Sequence, residues 1–232
     1  MTQTPMPMHT DPNETVQRHL VWRGWLRLAH WSMAAGTLAL LFTGWLIANA
    51  PSVADHAVQD HYLAAYLLLG GLGLRLWLLL RGGEVERFKT LLPDLTRTHV
   101  MKDMVRFYIS FGRMPLPRWY AHNPLWGPVY LLLLLALVMV AATGFAQQQW
   151  PIVYGFYLPS MHRWWADAIG LFVIAHLLAV VLHDWKGTAC DVSAMLSGYR
   201  IFVIKRIDPE EIVGTQRISV EQIARPSSRD PD

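Results

Sequence analysis

Four stretches of this 232-residue chain are apolar over about the length needed to cross a bilayer: Leu28–Ala48, Ala57–Leu80, Leu125–Ala146 and His162–Leu182. Hydrocarbon about 30 Å thick takes about 20 helical residues, each adding about 1.5 Å. No water inside it satisfies the backbone, so stretches of this length must be helical. The pattern predicts an all-α membrane protein, a four-helix transmembrane bundle. Composition agrees, with 53% hydrophobic and 16% charged residues. Most of the eleven tryptophans lie near the ends of the apolar runs, as an aromatic belt at the lipid headgroups requires. No span has the short apolar core and small-residue cleavage site of a signal peptide, and a polar segment, Met1–Asn13, precedes the first.

Basic residues set the orientation. Arg18, Arg23 and Arg27 precede the first span, nine Lys and Arg fall from Arg75 to Arg118, and seven follow from Lys186 onward. Only Arg163 is left for the other side, so both termini are expected in the cytoplasm. The net charge of +3 then reflects topology, and nucleic-acid binding is not needed to explain it. A single cysteine, Cys190, excludes an intramolecular disulfide, a CxxCH haem attachment and a Cys-ligated iron–sulfur cluster within the chain.

The expected organisation is a cytoplasmic segment (1–24), a membrane domain (25–200) and a partly disordered cytoplasmic tail (201–232). Between spans two and three, Arg81–Ala121 is too polar to cross. Within it Val100, Met101, Met104, Val105, Tyr108 and Phe111 recur at helical spacing, with Lys102, Asp103 and Arg106 between them. That predicts an amphipathic helix at the cytoplasmic surface. The outer loops are short, about Asn49–His56 and Gln147–Met161, and the second carries Trp150, Tyr154, Phe156 and Tyr157. The end, from Arg225 to Asp232, should be disordered.

Within the fourth span His162 and His176 stand fourteen residues apart. Fourteen steps of 100° return to within ~40° of the start, with a rise of ~21 Å, so both rings leave one helix face near opposite leaflets. Imidazole is costly in hydrocarbon unless something binds it. His30 lies at the cytoplasmic end of span one and His61 near the outer start of span two. Depth therefore pairs His30 with His176 and His61 with His162, and each pair can supply both axial ligands of one haem. The same interval separates His30 from Gly44 and His61 from Arg75. Gly44 would then let a porphyrin approach at the outer level. Arg75 at the inner level and Arg163 at the outer could pair with propionates. Plainer roles stay open: a span histidine often hydrogen-bonds another helix, Arg75 can snorkel to the surface, and Gly44 can serve a helix contact. His183, seven after His176, and His56 are rival ligands. His9, His19 and His99 read as solvated or interfacial. Asp167 is an acid in the fourth span, ~140° from His162.

The stretches Arg27-Leu-Ala-His30-Trp31, Thr43-Gly44, His122-Asn123-Pro124-Leu125, Thr143-Gly144-Phe145, His162-Arg163 with His176, and Ser193-Ala-Met-Leu-Ser-Gly-Tyr-Arg200 occur in this order. From about residue 22 to 200 the chain resembles the cytochrome b subunit of membrane-bound nickel–iron hydrogenases, within a group that includes the cytochrome b subunits of formate dehydrogenase and thiosulfate-reductase-like enzymes. The resemblance implies two haem b groups, electrons arriving from a partner's iron–sulfur protein, and quinone reduction near the inner haem. Carried over by position, the ligands are His30, His61, His162 and His176. His122 and Asn123 fall where that family's inner haem and quinone pocket lie, and a helix cap before Pro124 is their plainer role.

The expected function is therefore a dihaem membrane subunit between an extracytoplasmic dehydrogenase, a nickel–iron hydrogenase first, and the quinone pool. It would have no substrate chemistry beyond quinone reduction. Its rivals are a subunit that oxidises quinol to feed an outer reductase, and a haem-free membrane anchor.

Overall fold

The computed structural model describes residues 14–93, 98–117, 119–186 and 191–205. Four helices are long and apolar enough to cross a membrane: α1 (Gly24–Asn49), α2 (Ala54–Arg81, preceded by a 3-10 turn at Pro51–Val53), α4 (Trp126–Ala146) and α5 (Leu158–Lys186). Each apolar stretch lies in one of them. α1, α2 and α5 run several residues past the apolar stretch, because helix continues into the headgroup layer where hydropathy has already fallen. The outer loops are correspondingly shorter than the sequence suggests. Exposed tryptophans mark the two headgroup levels: Trp25, Trp31, Trp77 and Trp185 at the basic end, and Trp45, Trp150 and Trp164 at the other. Trp164 and Trp185 are twenty-one residues apart on α5, about 30 Å along its axis.

The spans form two hairpins, α1 with α2 and α4 with α5, with few direct contacts between α2 and α4. Small residues let α1 and α2 approach closely. A Cβ on Gly36 would stand 2.8 Å from the Leu68 backbone nitrogen, and one on Gly71 2.8 Å from Ser32 Cβ. Between the hairpins lie Leu68, Leu72, Leu134, Leu137, Val140 and Ile169. This apolar layer lies between the inner end of the bundle and a cavity at its outer end.

The segment after α2 turns back under the bundle in 3-10 turns at Glu84–Glu86 and Phe88–Leu91. α3 (Thr98–Ile109) follows as the expected amphipathic helix. Its buried side matches the spacing at Met104 and, half-buried, at Val100, Met101 and Tyr108, but not at Val105 and Phe111. Met104 and Phe107 are wholly buried, whereas Val105 and Phe111 are exposed. The apolar side packs on protein here, and Phe107 rather than Val105 completes it.

Four short strands depart from a purely helical expectation. β2 (Ile152–Val153) and β3 (Phe156–Tyr157) make the outer hairpin, antiparallel, with Ile152 opposite Tyr157. β1 (Glu14–Leu20) pairs with β4 (Tyr199–Lys205), which follows the short helix α6 (Asp191–Ser197). Residues 18–201 form one compact unit. The described strand ends 14–17 and 202–205 fall outside that unit. His9, Cys190 and the disorder expected from Arg225 to Asp232 lie outside the described residues.

Candidate metal centres

α5 carries His162 toward one leaflet and His176 toward the other, and each meets a histidine from the α1–α2 hairpin. The His30 and His176 ring centres are 6.4 Å apart, and those of His61 and His162 are 6.3 Å apart. Two imidazoles on opposite sides of one metal ion, at about 2 Å per metal–nitrogen bond, would have centres about 6 Å apart. The facing rings are thus held at the spacing that bis-imidazole ligation requires. Neither pair closes into a direct hydrogen bond.

The outer pair is the more elaborately supported. The Thr43 hydroxyl gives its one proton to the Ala39 carbonyl oxygen (2.7 Å). Toward His61 Nδ1, 2.8 Å away, it is therefore the acceptor. His162 Nδ1 donates to the Val140 carbonyl oxygen at 2.8 Å, and Thr143 Oγ1 stands 3.4 Å from the same nitrogen. With Nδ1 carrying the hydrogen on both rings, Nε2 holds the lone pair that binds a metal. A glycine follows each threonine. Gly144 is needed to clear its ring, whereas a side chain at Gly44 would make only ordinary contact. A Cβ on Gly44 would lie 3.7 Å from His61 Cε1, and one on Gly144 2.9 Å from His162 Cε1. Both glycines line a cavity of about 600 Å³, together with Arg163 and Asp167. That volume falls within the range of small-molecule and cofactor sites, roughly 300–1,000 Å³. Arg163 and Asp167 approach to 3.9 Å across an exposed edge, so the acid in the fourth span answers the arginine beside His162.

The inner pair is enclosed by aromatic rings. Phe172 stacks on His176 (5.7 Å, 9°), Trp126 and Tyr130 approach its edge, and Trp31 contacts His30. His30 Nδ1 is buried with no hydrogen-bond partner. Arg75 does not snorkel. It is 6% exposed and donates from Nη1 to the Glu86 carbonyl oxygen at 2.8 Å, while Glu86 Oε2 accepts from Gly83 N at 2.6 Å. The 3-10 turns after α2 thus hold an arginine at the inner level.

His122 lies at this inner end, edge-on to Trp22 and Tyr130. Burial, reinforced by the Arg75 guanidinium, pushes it down to about 4, so it is neutral at pH 7. Asn123 does take part in starting α4, its Oδ1 accepting from Leu125 N at 3.0 Å. Yet His122 Nδ1 and Asn123 Nδ2 are both buried without a partner. Of the rival ligands, His56 is exposed. His183 is engaged elsewhere: Trp126 Nε1 donates to Tyr108 Oη (2.6 Å), which bonds His183 Nε2 (2.7 Å).

Residues 21–198 match the family of prokaryotic cytochrome b561. The chain belongs to that family. Among curated relatives, a probable nickel–iron hydrogenase B-type cytochrome subunit of Cupriavidus necator is 27% identical, over 82% of this chain and 89% of its own length. A protein of the same description from Azotobacter vinelandii is also 27% identical, over 85% and 96%. A probable nickel–iron hydrogenase 1 B-type cytochrome subunit of Escherichia coli is 24% identical, over 86% and 97%. No solved structure matches the chain. Membership in the b561 family makes this a membrane b-type cytochrome with haem b as its cofactor. The facing histidines, the glycine that clears His162, the outer cavity and the orphaned His30 nitrogen all fit such a group.

Thr43 and Thr143 stand in the sequence only as parts of short motifs, and the structure gives each a place beside a histidine. A signal for them existed. Thr-Gly occurs once near the outer end of α1 and once near that of α4, and each copy serves one histidine.

Proposed function

We propose that this cytochrome is the dihaem membrane subunit of a nickel–iron hydrogenase complex, linking an extracytoplasmic iron–sulfur donor to the quinone pool. The observation that carries the proposal is the pair of facing histidines at each level, 6.4 Å and 6.3 Å between ring centres. In it His30 with His176, and His61 with His162, would each hold one haem b group. When bound, haem b supplies a one-electron Fe(III)/Fe(II) couple. The hydrogenase-subunit descriptions of the relatives support the partner.

Each residue then has a stated task. Thr43 and the Val140 carbonyl orient the outer rings. Gly44 and Gly144 leave room beside them, and Arg163 offers a guanidinium to a propionate at the outer edge. Arg75 does the same at the inner level, where its burial makes an anionic partner favourable. The intervening apolar layer excludes water, so charge crosses the bundle without a proton leak.

The quinone pocket is proposed at His122 and Asn123, whose two unpartnered nitrogens suit a quinone's carbonyl oxygens. Quinone reduction takes up two electrons and two protons. His122, neutral at rest, is a hydrogen-bond partner first. It takes a proton only once the bound quinone turns negative.

The test is a pyridine-haemochrome count with hydrogen-dependent quinone reduction in membranes carrying the complex. Wild type should give two haems per chain. His176→Ala should give one and lose quinone reduction. A His176→Ala variant that keeps two haems would remove the ligand assignment.

A further inference from the structure

The two candidate centres differ at the nitrogen that faces away from the metal. At the outer pair both Nδ1 atoms are hydrogen-bonded to oxygens that can only accept: Thr43 Oγ1, whose proton is committed to Ala39, and the Val140 carbonyl. At the inner pair His30 Nδ1 is buried with no partner, and His176 is surrounded by the rings of Phe172, Trp126 and Tyr130. A hydrogen bond donated from Nδ1 pushes electron density into the ring and makes Nε2 a stronger donor. A stronger donor stabilises Fe(III) over Fe(II), and hydrogen bonding around axial ligands is one of the levers that set a haem potential. The charges act in the same sense. Arg75 exerts its field on His30 from α2, whereas Arg163 at the outer edge is offset by Asp167 at 3.9 Å. A net positive field favours the reduced iron.

We propose that Thr43 is a potential-setting residue: its bond to His61, with the matching Val140–His162 bond, holds the outer haem at a lower reduction potential than the inner one. This rests on the dihaem reading above and adds a direction to it. Electron transfer from the outer centre to the inner is then downhill, which favours quinone reduction over quinol oxidation. Thr43 touches the ligand rather than the reacting electron carrier, so it is a positioning residue.

The experiment is an optical redox titration of the purified full chain, with its haem count, for wild type, Thr43→Val, Thr43→Ser and His176→Ala. Valine keeps the shape of threonine but cannot accept from Nδ1. It should leave two haems and raise the lower midpoint only, by up to about a tenfold change in the reduction equilibrium, equivalent to 59 mV for one electron. Serine should restore the wild-type value. His176→Ala, which retains the outer centre alone, should keep the lower-potential wave, so the order can be read even if valine disturbs haem binding. Two haems with unmoved midpoints in Thr43→Val would overturn the role of Thr43. Retention of the higher wave in His176→Ala would overturn the order. A wild-type chain with fewer than two haems would instead overturn the reading on which both rest.

Discussion

A Cβ on Gly144 would stand 2.9 Å from His162 Cε1, on a ring already pinned from the other side by Val140. The ring cannot retreat without losing that bond. If the outer pair holds a haem as proposed, Gly144→Val should cost it, taking a haemochrome count from two toward one with the inner spectrum kept. His122 makes a separate prediction through its charge. Its pKa in the folded chain, about 4, lies below the ordinary 6.5, so the unfolded chain binds the proton more tightly. Stability held above pH 6.5 is then lost as pH falls toward 4. Between pH 7 and 5 the loss from this residue is about 2 kcal/mol. His122→Gln should flatten that part of the profile in thermal melts of the detergent-solubilised protein. An equal decline in both would show that His122 does not titrate in this way.

At the scale of elements, the Ser193–Arg200 motif is a clasp on the start of α1. Trp31 Nε1 donates to the Met195 carbonyl oxygen (3.1 Å), and Arg27 bonds that of Leu196. The Gly198 carbonyl accepts from Val21 N and Trp22 N. Gly198 has φ +90°, and a Cβ there would meet the Trp22 carbonyl oxygen at 2.6 Å, so only glycine fits. Arg200 Nη1 reaches the Tyr120 carbonyl oxygen at 2.8 Å and so holds the segment that carries His122. Gly198→Ala should destabilise by about 1–3 kcal/mol, read as a lower melting temperature with both haems still bound in the folded fraction. The clasp was invisible beforehand because its bonds run to backbone oxygens from residues about 80 to 170 positions away, and no periodicity records such pairing. The same holds for Glu86, whose carbonyl anchors Arg75 from a turn without apolar pattern. The spans and the depth-matched histidines were legible because one dimension, height in the bilayer, orders them. Once fourteen residues are read as ~21 Å, His30, His61, His162 and His176 can be paired without knowing any loop. Which residues of α3 are buried depends on neighbours instead, and there the reading by spacing missed Phe107.

For the whole molecule, the decisive quantity is the asymmetry of charge between its two ends. Eighteen of the twenty Lys and Arg lie on one side of the four apolar spans, and Arg75 lies toward the same end inside the second. The positive-inside rule then puts the inner histidine pair and His122 on the cytoplasmic side, and the β2–β3 hairpin outside. In the proposed function this arrangement would make the bundle charge-separating, with protons consumed at the basic end and electrons arriving at the other. Two exposed positions report it: Tyr154, 97% exposed at the tip of the outer hairpin, and Phe111, 83% exposed after α3. In a Cys190→Ser background, Tyr154→Cys should react with a membrane-impermeant maleimide in intact spheroplasts. Phe111→Cys should react only after lysis. Both positions lie outside the four spans and neither side chain lines the outer cavity, so labelling reads sidedness without disturbing it. The opposite pattern would invert the bundle, put the His122 pocket at the outer surface, and turn the proposed quinone reductase into one that draws its protons from outside.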